Sequence, residues 1–531
     1  MSETATIPPQ SSRSGQIARS TLTVMGGIAA ATIVGLIRQR IVAGQFGTSA
    51  AMDAFTAANG LSELLFTMLA GGALAFAFIP IYTRFLTEGD THSANTLLSQ
   101  VTNTIFLLIT LASLVIALLA PTLVSAPWGI GPSFPPEIQA LTAQLMRILL
   151  LSTIIFAVSS IVTGALHAHQ HFLLPAITPL MYSGGIILGA LFLAPKMGIF
   201  GLAWGAVLGS LLHLLVQVPG LILYKIRWFP SLGWRNPALH RVAILMAPRV
   251  IDLLMARISI DWINANLGSG LGEGRVAALR YAYQLMNMPW TLIGTAIGIA
   301  IFPTMAALAA QRDVNAQRSA LSGSLRAILT LTFPAAAGLL VLGRPLIRLL
   351  FEGGEFTTQS TELVYYALQF YVIALLSQSM LEVVVRAFAA QQDTLTPLIV
   401  SFFTTTLNIG LAIWLSRPLS EGGLEHGGLA LANGIAVGVE SLTGLTILHF
   451  RWRGVDARRI LLDAGKAALS AGGMYAAVLA FQTVLQPGTL VNLVGGGIIG
   501  VAAFCGLALL LGIQEIRTVP LAVLHRMRRA Q

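Results

Sequence analysis

The sequence has 531 residues, of which 55% are hydrophobic and only 10% are charged, whereas a soluble domain carries roughly a quarter charged residues. A water-soluble globular protein is therefore excluded, because most of the surface must face something other than water. The net charge of +10 does not indicate nucleic-acid binding either. The basic residues recur in short clusters between apolar runs, a pattern that is typical of the loops of membrane proteins.

The first 19 residues are polar and rich in Ser and Thr. They lack the short apolar core and small-residue cleavage site of a secretory signal peptide. We therefore expect a cytoplasmic tail followed by a first apolar run that stays in the membrane. A single cysteine, Cys505, lies inside an apolar run, which excludes a disulfide framework and a cysteine metal site.

The apolar runs that follow are long enough to cross a bilayer, which takes about 20 residues of helix. They predict an all-α polytopic membrane protein with about fourteen transmembrane helices. The predicted spans are 20–43, 54–84, 96–120, 141–166, 172–194, 198–224, 241–266, 275–303, 325–343, 361–386, 395–416, 427–449, 465–485 and 490–513.

The loops between these spans carry an uneven charge. Twenty lysines and arginines fall on the face that holds the N-terminus, and four fall on the other. Basic residues accumulate in cytoplasmic loops, and one missed helix would scramble the alternation. We therefore expect both termini to be cytoplasmic.

The two halves of the sequence resemble each other at nearly constant offsets of 223, 222 and 227 residues. The pairs are Phe78-Ile79-Pro80 with Ile301-Phe302-Pro303, residues 165–170 with 387–392, and Gly201-Leu202-Ala203 with Gly428-Leu429-Ala430. Six spans per repeat is an even number, so both halves insert the same way up. This predicts two six-helix bundles related by a pseudo-twofold axis, with a cavity between them and alternating access by rocking. Chance similarity among Ala/Leu/Gly-rich helices is the alternative.

The repeat divides the chain into predicted domains. These are a cytoplasmic tail (1–19), an N-terminal six-helix bundle (20–224), a cytoplasmic linker (225–240), a C-terminal six-helix bundle (241–449), a second linker (450–464), helices 13 and 14 (465–513) and a basic cytoplasmic tail (514–531).

Charged residues inside the spans indicate where a ligand binds, since a charge near the bilayer centre costs about 2.5–3.5 kcal/mol on insertion scales. In span 7, Arg249, Asp252, Arg257 and Asp261 fall within one half of the helix circumference at about 100° per residue. A second group comes from spans 1, 2 and 8, and comprises Arg38, Asp53, Glu63 and Arg280.

These charges favour an anionic ligand, because the acidic residues do not outnumber the arginines. Arginine offers fork-shaped donors to a phosphate or diphosphate. The alternative is purely structural, with Arg249–Asp252 and Arg257–Asp261 forming intrahelical ion pairs.

Other motifs are weaker. Gly71, Gly72, Gly294 and Gly298 are candidate hinges, although glycine is also common at close helix contacts in membranes. The alternating His167, His169 and His171 are interpreted as a surface turn, and no metal site is expected. The sequence contains no phosphate-binding P-loop, no G-x-S-x-G and no HExxH motif, so we expect a transporter without a cofactor and not an enzyme.

Four motifs resemble the MurJ (MviN) lipid II flippases of the multidrug/oligosaccharidyl-lipid/polysaccharide exporter superfamily, over about residues 20–515. They are GLAWGAVLG at 201–209 continuing to Gln217-Val218-Pro219, LLFEGGEFT at 349–357, AFAAQQDT at 387–394 with Pro397, and Val34–Arg38 followed by Phe46-Gly47 and Asp53-Ala54-Phe55. The resemblance implies the fourteen-helix fold and a groove for the lipid tail formed by helices 13 and 14.

The sequence departs from this family at positions that carry charge. The family has an arginine where this chain has Thr32, and another where it has Gln284. The family's P-N-L-L-R reads Ser62-Glu63-Leu64-Leu65-Phe66 here, and its later A-E-G-A-F reads Ala70-Gly71-Gly72-Ala73-Leu74. Of the family's cavity arginines only Arg38 carries over, along with Asp53. We hypothesise that Arg280 and the span 7 arginines, Arg249 and Arg257, take over anion binding, with Gln284 one turn after Arg280.

These observations predict a flippase that moves lipid II, a polyprenyl-diphosphate-linked peptidoglycan precursor, to the outer leaflet of a bacterial inner membrane. Its expected partners are the lipid-linked glycan, membrane lipids and proteins of cell-wall synthesis. The expected energy source is the membrane potential or a monovalent cation at Asp53 or Asp261. The alternatives are a flippase for an exopolysaccharide or O-antigen precursor, a cation-coupled drug exporter, and a transport-inactive scaffold for wall synthesis.

Overall fold

The computed structural model describes Gly27 and residues 30–69 and 72–513, except for the side chains at 69, 72–76, 247–249, 252 and 256. Within these ranges the regular structure is helical, and an isolated bridge joins Gly353 to Phe356. The predicted tails, 1–19 and 514–531, lie outside the described residues.

The helices follow one another with short connections. They are α1 (30–46), α2 (Ala50–Leu69), α3 (Gly72–Thr87), α4 (Thr91–Ser125), α5 (Pro136–Ala168), α6 (Leu173–Leu188), α7 (Ala194–Met197), α8 (Ile199–Leu215), α9 (Val218–Leu223), α10 (Pro237–Arg257), α11 (Ile263–Gly268), α12 (Arg275–Trp290), α13 (Ala296–Ala310), α14 (Val314–Phe351), α15 (Thr358–Ala390), α16 (Leu395–Leu415), α17 (Glu425–Trp452), α18 (Ala457–Leu485) and α19 (Thr489–Leu510). Single π-helical turns at Gly189–Leu193, Ile258–Trp262 and Thr291–Thr295 connect neighbouring helices.

Eleven helices of the described chain are long and apolar enough to cross a membrane, and they correspond to predicted spans 3–6 and 8–14. The other three predicted spans are helical in their described parts, as α1, α2 with α3, and α10. The fold class predicted from the sequence is confirmed as an all-helical multi-pass membrane protein.

Helix α14 extends beyond the predicted span 325–343 at both ends. Its 38 residues measure about 57 Å at 1.5 Å per residue, roughly twice the hydrocarbon thickness. Arg344 lies inside this helix, and its guanidinium binds Glu362 at 2.9 Å and packs over the ring of Tyr365. The segment with Arg344 and Arg348, which the sequence predicted to be a loop after span 9, is therefore the last part of helix α14.

The internal repeat is visible in the backbone. Asp90 caps α4 by accepting a hydrogen bond from Ser93 N, and Asp313, 223 positions later, caps α14 in the same way. Gln170 and Gln392, 222 positions apart, both have positive φ angles, of 59° and 60°, directly after the ends of α5 and α15. Equivalent positions thus make the same turns, which chance sequence similarity does not explain.

The described chain forms two compact units. One contains the chain up to Phe46 together with Ala57–Arg257, and the other contains Gly47–Thr56 and the chain from Ile258 onward.

Close helix packing in the first unit depends on glycines of α6, α8 and the π turn between them. A Cβ on Gly185 would overlap the backbone of Gly209, and a Cβ on Gly189 would overlap Gly205. Small residues let membrane helices approach closely. The GLAWGAVLG motif is therefore the contact surface of α8 for α6.

A cluster of buried side chains from α13, α14, α15, α17 and α18 forms part of the core of the second unit. Its members include Leu321, Ile328, Val383, Phe388 and Leu448.

Candidate functional site

Asp53 lies at the start of α2 and is 1% exposed. Its Oδ2 accepts a hydrogen bond from Gly274 N at 2.6 Å, and its Oδ1 accepts one from Ala277 N at 2.7 Å. Both donors belong to the N-terminus of α12, which carries a partial positive charge. The structure thus places Asp53 as a cap for α12 supplied from a distant part of the sequence, within the second unit.

Glu63 lies on α2, in the first unit. Its Oε2 accepts a hydrogen bond from Arg257 Nη1 at 2.8 Å, and its Oε1 accepts one from Asn59 at 2.9 Å. The side chains of Glu63 and Arg257 are both about one-third exposed. Arg257, the last residue of α10, therefore forms an ion pair with Glu63 of α2.

Asp261 lies on the π turn Ile258–Trp262, in the second unit. Arg280 of α12 donates to its Oδ1 at 3.0 Å, and the side chain of Asp261 is only 7% exposed. Asn264 and Tyr371 line a small void of about 20 Å³ beside this pair, enough for about one water molecule. The predicted site residues Arg280 and Asp261 are thus brought together.

The remaining predicted site residues are less informative. Arg38 is half-buried on α1. Gln284 lies one turn after Arg280, and its Oε1 is buried without a hydrogen-bond donor among the described residues. Arg249 and Asp252 belong to α10, but their side chains lie outside those described.

The predicted hinge glycines occupy irregular or crowded backbone. Gly294 lies in the π turn Thr291–Thr295, and a Cβ there would press on Ser379 of α15. A Cβ on Gly298 would lie 2.9 Å from the guanidinium carbon of Arg386. Gly72 begins α3, and Gly71 lies outside the described residues.

A larger cavity of about 510 Å³ lies among α2, α5, α6, α8 and α10 of the first unit; we call it the N-terminal cavity. Its lining includes Ser62, Glu63, Phe66, Phe156, Tyr182 and His213. Two predicted site residues, Glu63 and Arg257, line this cavity, whereas the part of the lining that comes from α5, α6 and α8 was not predicted.

A hydrogen-bond network supports one wall of this cavity. Ser159 Oγ lies 2.7 Å from His213 Nδ1 and accepts a hydrogen bond from Gln217 Nε2 at 2.7 Å. Thr163 donates to Gln217 Oε1 at 2.9 Å. Gln217 belongs to the Gln-Val-Pro part of a family motif, so its side chain orients the wall that holds His213.

Two further groups in the second unit were overlooked because they read as ordinary polar positions. Glu382 and Arg386 form an ion pair along α15, and Thr295 donates to Glu382. Glu440 of α17 accepts a hydrogen bond from Thr404 of α16 at 3.1 Å. Counting acidic residues inside the spans as carefully as arginines would have found both carboxylates.

The histidine turn after α5 is a stacked aromatic cluster in the first unit. The ring of His169 stacks on Tyr224 at 4.4 Å, and His169 Nε2 lies 3.3 Å from the hydroxyl of Tyr82. Burial lowers the pKa of His169, which favours the neutral ring.

Comparison with known proteins places the chain in a family. The family model described as lipid II flippase MurJ matches residues 42–495. The chain belongs to the lipid II flippase MurJ family. A MurJ relative from Burkholderia cenocepacia, named lipid II flippase MurJ, is 30% identical over 455 residues, which cover 82% of this chain and 84% of the relative. A probable lipid II flippase MurJ of Vibrio cholerae is 27% identical and covers 91% of this chain and 94% of its own length.

Solved structures agree with this MurJ assignment at the level of the fold. Lipid II flippase MurJ in its inward closed conformation superposes with a TM-score of 0.75 at 23% identity, covering 92% of this chain and 98% of that one. An inward-facing multidrug resistance MATE family transporter gives a TM-score of 0.66 at 16% identity, covering 80% and 94%. The family resemblance found in the sequence motifs is confirmed.

Proposed function

We propose that this protein moves lipid II from the inner to the outer leaflet of the bacterial cytoplasmic membrane by alternating access. The observation that carries the proposal is membership of the MurJ family over residues 42–495, supported by a relative named lipid II flippase at 30% identity. The activity is transport and not catalysis of a chemical reaction.

The proposed ligands for the diphosphate of the headgroup are Arg38, Arg257 and Arg280, with Arg249 as an additional cation and Gln284 as a polar neighbour of Arg280. Arginine binds phosphate oxygens through two parallel N–H donors. Arg257 and Arg280 each hold a carboxylate, Glu63 and Asp261. Anion binding at either arginine therefore competes with an existing ion pair.

Outward movement of an anionic headgroup is favoured by an inside-negative potential, by about 2.3 kcal/mol per charge per 100 mV. If a monovalent cation contributes, we propose Asp261 as its ligand in preference to Asp53. The reason is that both carboxylate oxygens of Asp53 already accept backbone hydrogen bonds.

The proposed orientation places both termini in the cytoplasm, with the lipid tail held along α18 and α19. These two helices present many exposed apolar side chains, among them Leu469, Val484, Val494 and Ile498. Contacts with cell-wall synthesis proteins belong to the same proposal.

The test is complementation of a bacterium conditionally depleted of its own MurJ, with external accessibility of lipid II as the readout. We expect the wild-type chain to rescue growth and restore accessibility, and Arg38→Ala to abolish both. Arg40→Ala is the matched control, because Arg40 lies two residues further along the same helix and is exposed.

The departures from the family pattern favour one second candidate, a flippase for another polyprenyl-linked glycan. Thr32, Phe66 and Gln284 each replace a family arginine. Failure of a well-expressed, correctly inserted protein to rescue the depleted strain would support this candidate over lipid II.

A further inference from the structure

Arg147 of α5 makes an unusual contact with the backbone of α4. Its Nε donates a hydrogen bond to the carbonyl oxygen of Ala117 at 2.9 Å. That oxygen lacks its usual helical donor because Pro121, four residues later in α4, has no N–H group. The proline thus creates the acceptor, and the contact holds the guanidinium of Arg147 against α4.

An uncharged side chain meets the same need elsewhere in the chain. Pro345 of α14 leaves the carbonyl of Val341 without its helical donor, and Gln482 Nε2 of α18 supplies one at 3.1 Å. An amide therefore suffices for a carbonyl freed by proline. Arg147 brings a positive charge that its contact with α4 does not by itself require.

The charge of Arg147 has no carboxylate near it on either helix. Helix α4 contains no Asp, Glu, Lys or Arg. The single acidic residue of α5, Glu137, lies ten positions before Arg147, about 15 Å along the helix at 1.5 Å per residue. The four N–H groups of Nη1 and Nη2 make no hydrogen bond to the described residues. They form a pair of donors whose geometry matches the oxygens of a phosphate.

The surface around this guanidinium is apolar. Gln144, Arg147 and Leu151 are exposed at spacings of three and four residues, so they share one face of α5. On α4, Leu114 and Leu118 are 55% and 70% exposed. Exposed leucines of a membrane-spanning helix lie against lipid acyl chains. The guanidinium is therefore a fixed cation on a surface that faces lipid.

Arg147 lies near one border of the hydrocarbon region. Ala117 is three residues before the end of predicted span 3, about 4.5 Å along the helix. The headgroup layer beyond the hydrocarbon is about 5–7 Å thick. Trp128, in the turn between α4 and α5, is 58% exposed, and exposed tryptophans mark the headgroup level. Lipid phosphates are therefore the anions that this guanidinium meets, and in the proposed orientation they belong to the outer leaflet.

We propose that Arg147 is the centre of a binding site for one phosphatidylglycerol molecule of the outer leaflet, formed by α4 and α5 on the surface of the first unit. Nη1 and Nη2 donate to two phosphate oxygens, and the acyl chains lie along the leucines of α4. Phosphatidylethanolamine binds less tightly because neither helix offers its ammonium group a nearby carboxylate. Arg147 does not line the N-terminal cavity, and the inference does not depend on which glycan is transported.

The experiment measures lipid binding to the purified full chain in detergent by native mass spectrometry. The probes are phosphatidylglycerol and phosphatidylethanolamine with identical acyl chains. We expect the wild-type chain to bind phosphatidylglycerol about threefold more tightly, the size of one exposed ion interaction. Arg147→Gln should weaken phosphatidylglycerol binding about tenfold, the size of one hydrogen bond to a charged group, and remove the preference. Its amide keeps a donor for Ala117, as Gln482 does for Val341.

Arg417→Gln is the matched control. Arg417 follows the end of α16 and is also exposed, and its replacement removes the same charge. We expect this variant to keep the wild-type affinity and preference. Unfolding temperatures measured with and without phosphatidylglycerol separate lipid binding from folding. The lipid should raise the unfolding temperature of the wild-type chain and of Arg417→Gln more than that of Arg147→Gln.

Three results would overturn the site. An unchanged affinity of Arg147→Gln for phosphatidylglycerol would leave Arg147 only its contact with Ala117. An equal loss of affinity in Arg417→Gln would assign the effect to net charge. Unchanged phospholipid binding by Arg147→Gln, combined with cross-linking of a photoreactive residue at position 144 to another membrane protein in cells, would assign this face to a protein partner.

Discussion

At the scale of single residues, the carboxylates of the predicted spans are satisfied in different ways. Asp53 accepts hydrogen bonds from the backbone at the start of α12, whereas Glu63 and Asp261 accept them from arginine side chains. Burying a charge is costly unless it is paired and hydrogen-bonded. The type of partner therefore indicates the role, since a backbone cap is fixed while an arginine pair can open to admit a ligand.

Asp53→Ala should lower the free energy of unfolding by about 2–3 kcal/mol, because two buried N–H groups lose their acceptor. Asp53→Asn should cost less, since the amide keeps one acceptor oxygen. Thermal unfolding of the purified protein followed by tryptophan fluorescence measures both. Asp90→Ala is the control, because Asp90 caps α4 at an exposed position where water replaces the lost contact. Unchanged stability of Asp53→Ala together with a lost cation dependence of transport would assign Asp53 to coupling instead.

At the scale of helices, π turns interrupt the regular helices, and glycines mark the places where two helices pack closely. The π turn Ile258–Trp262 carries Asp261, and the π turn Thr291–Thr295 carries Gly294. Turns of this kind often mark functional positions in helices. Gly185 and Gly189 bring α6 and the π turn after it against the backbone of α8. The π turn Ile258–Trp262 thus carries a residue of the proposed site, whereas Gly185 and Gly189 serve helix packing.

Neighbouring glycines of α6 allow a direct test of this packing. Gly185→Ala should destabilise the protein by about 1–3 kcal/mol, the usual cost of overpacking, because its Cβ would overlap Gly209. Gly184→Ala should be neutral or slightly stabilising, since no atom lies within 4 Å of its Cβ position and alanine favours the helix. Thermal unfolding of the two variants in the same detergent provides the measurement. Equal unfolding temperatures would contradict the close contact of α6 with α8.

At the scale of the whole molecule, the internal repeat and the loop charges together predict one orientation of the protein in the membrane. Asp90 with Asp313, and Gln170 with Gln392, show that both halves make equivalent turns. An even number of spans per repeat puts equivalent turns on the same side of the membrane. The excess of basic residues in the loops then predicts which side is cytoplasmic.

Cysteine labelling tests this orientation in a Cys505→Ser background, which removes the single natural cysteine. Glu88→Cys, in the turn after α3, should react with a membrane-impermeant maleimide only after permeabilisation. Ser133→Cys, between α4 and α5, should react in intact cells. Both positions are exposed. The reverse pattern would overturn the predicted orientation, and the unlabelled parent protein reports background reaction.

The sequence by itself determined the membrane class, the all-helical fold and the family. These properties depend on local composition and periodicity, which a helix in lipid must satisfy within its own segment. The same reason explains why charged residues could be proposed as site residues from the sequence, because a charge within an apolar run is conspicuous without any fold. They are Arg38, Asp53, Glu63, Arg257, Asp261 and Arg280.

Only the tertiary structure decided the partners of these charges. The contact of Asp53 with Gly274 joins positions 221 residues apart, and that of Arg257 with Glu63 joins positions 194 apart. The N-terminal cavity collects its lining from several helices, and Ser62 and Phe156 are unremarkable in their own segments. An ion pair or a cavity is formed by side chains from different helices. The periodicity of the sequence predicts which side of each helix is buried, but not which other helix packs against that side.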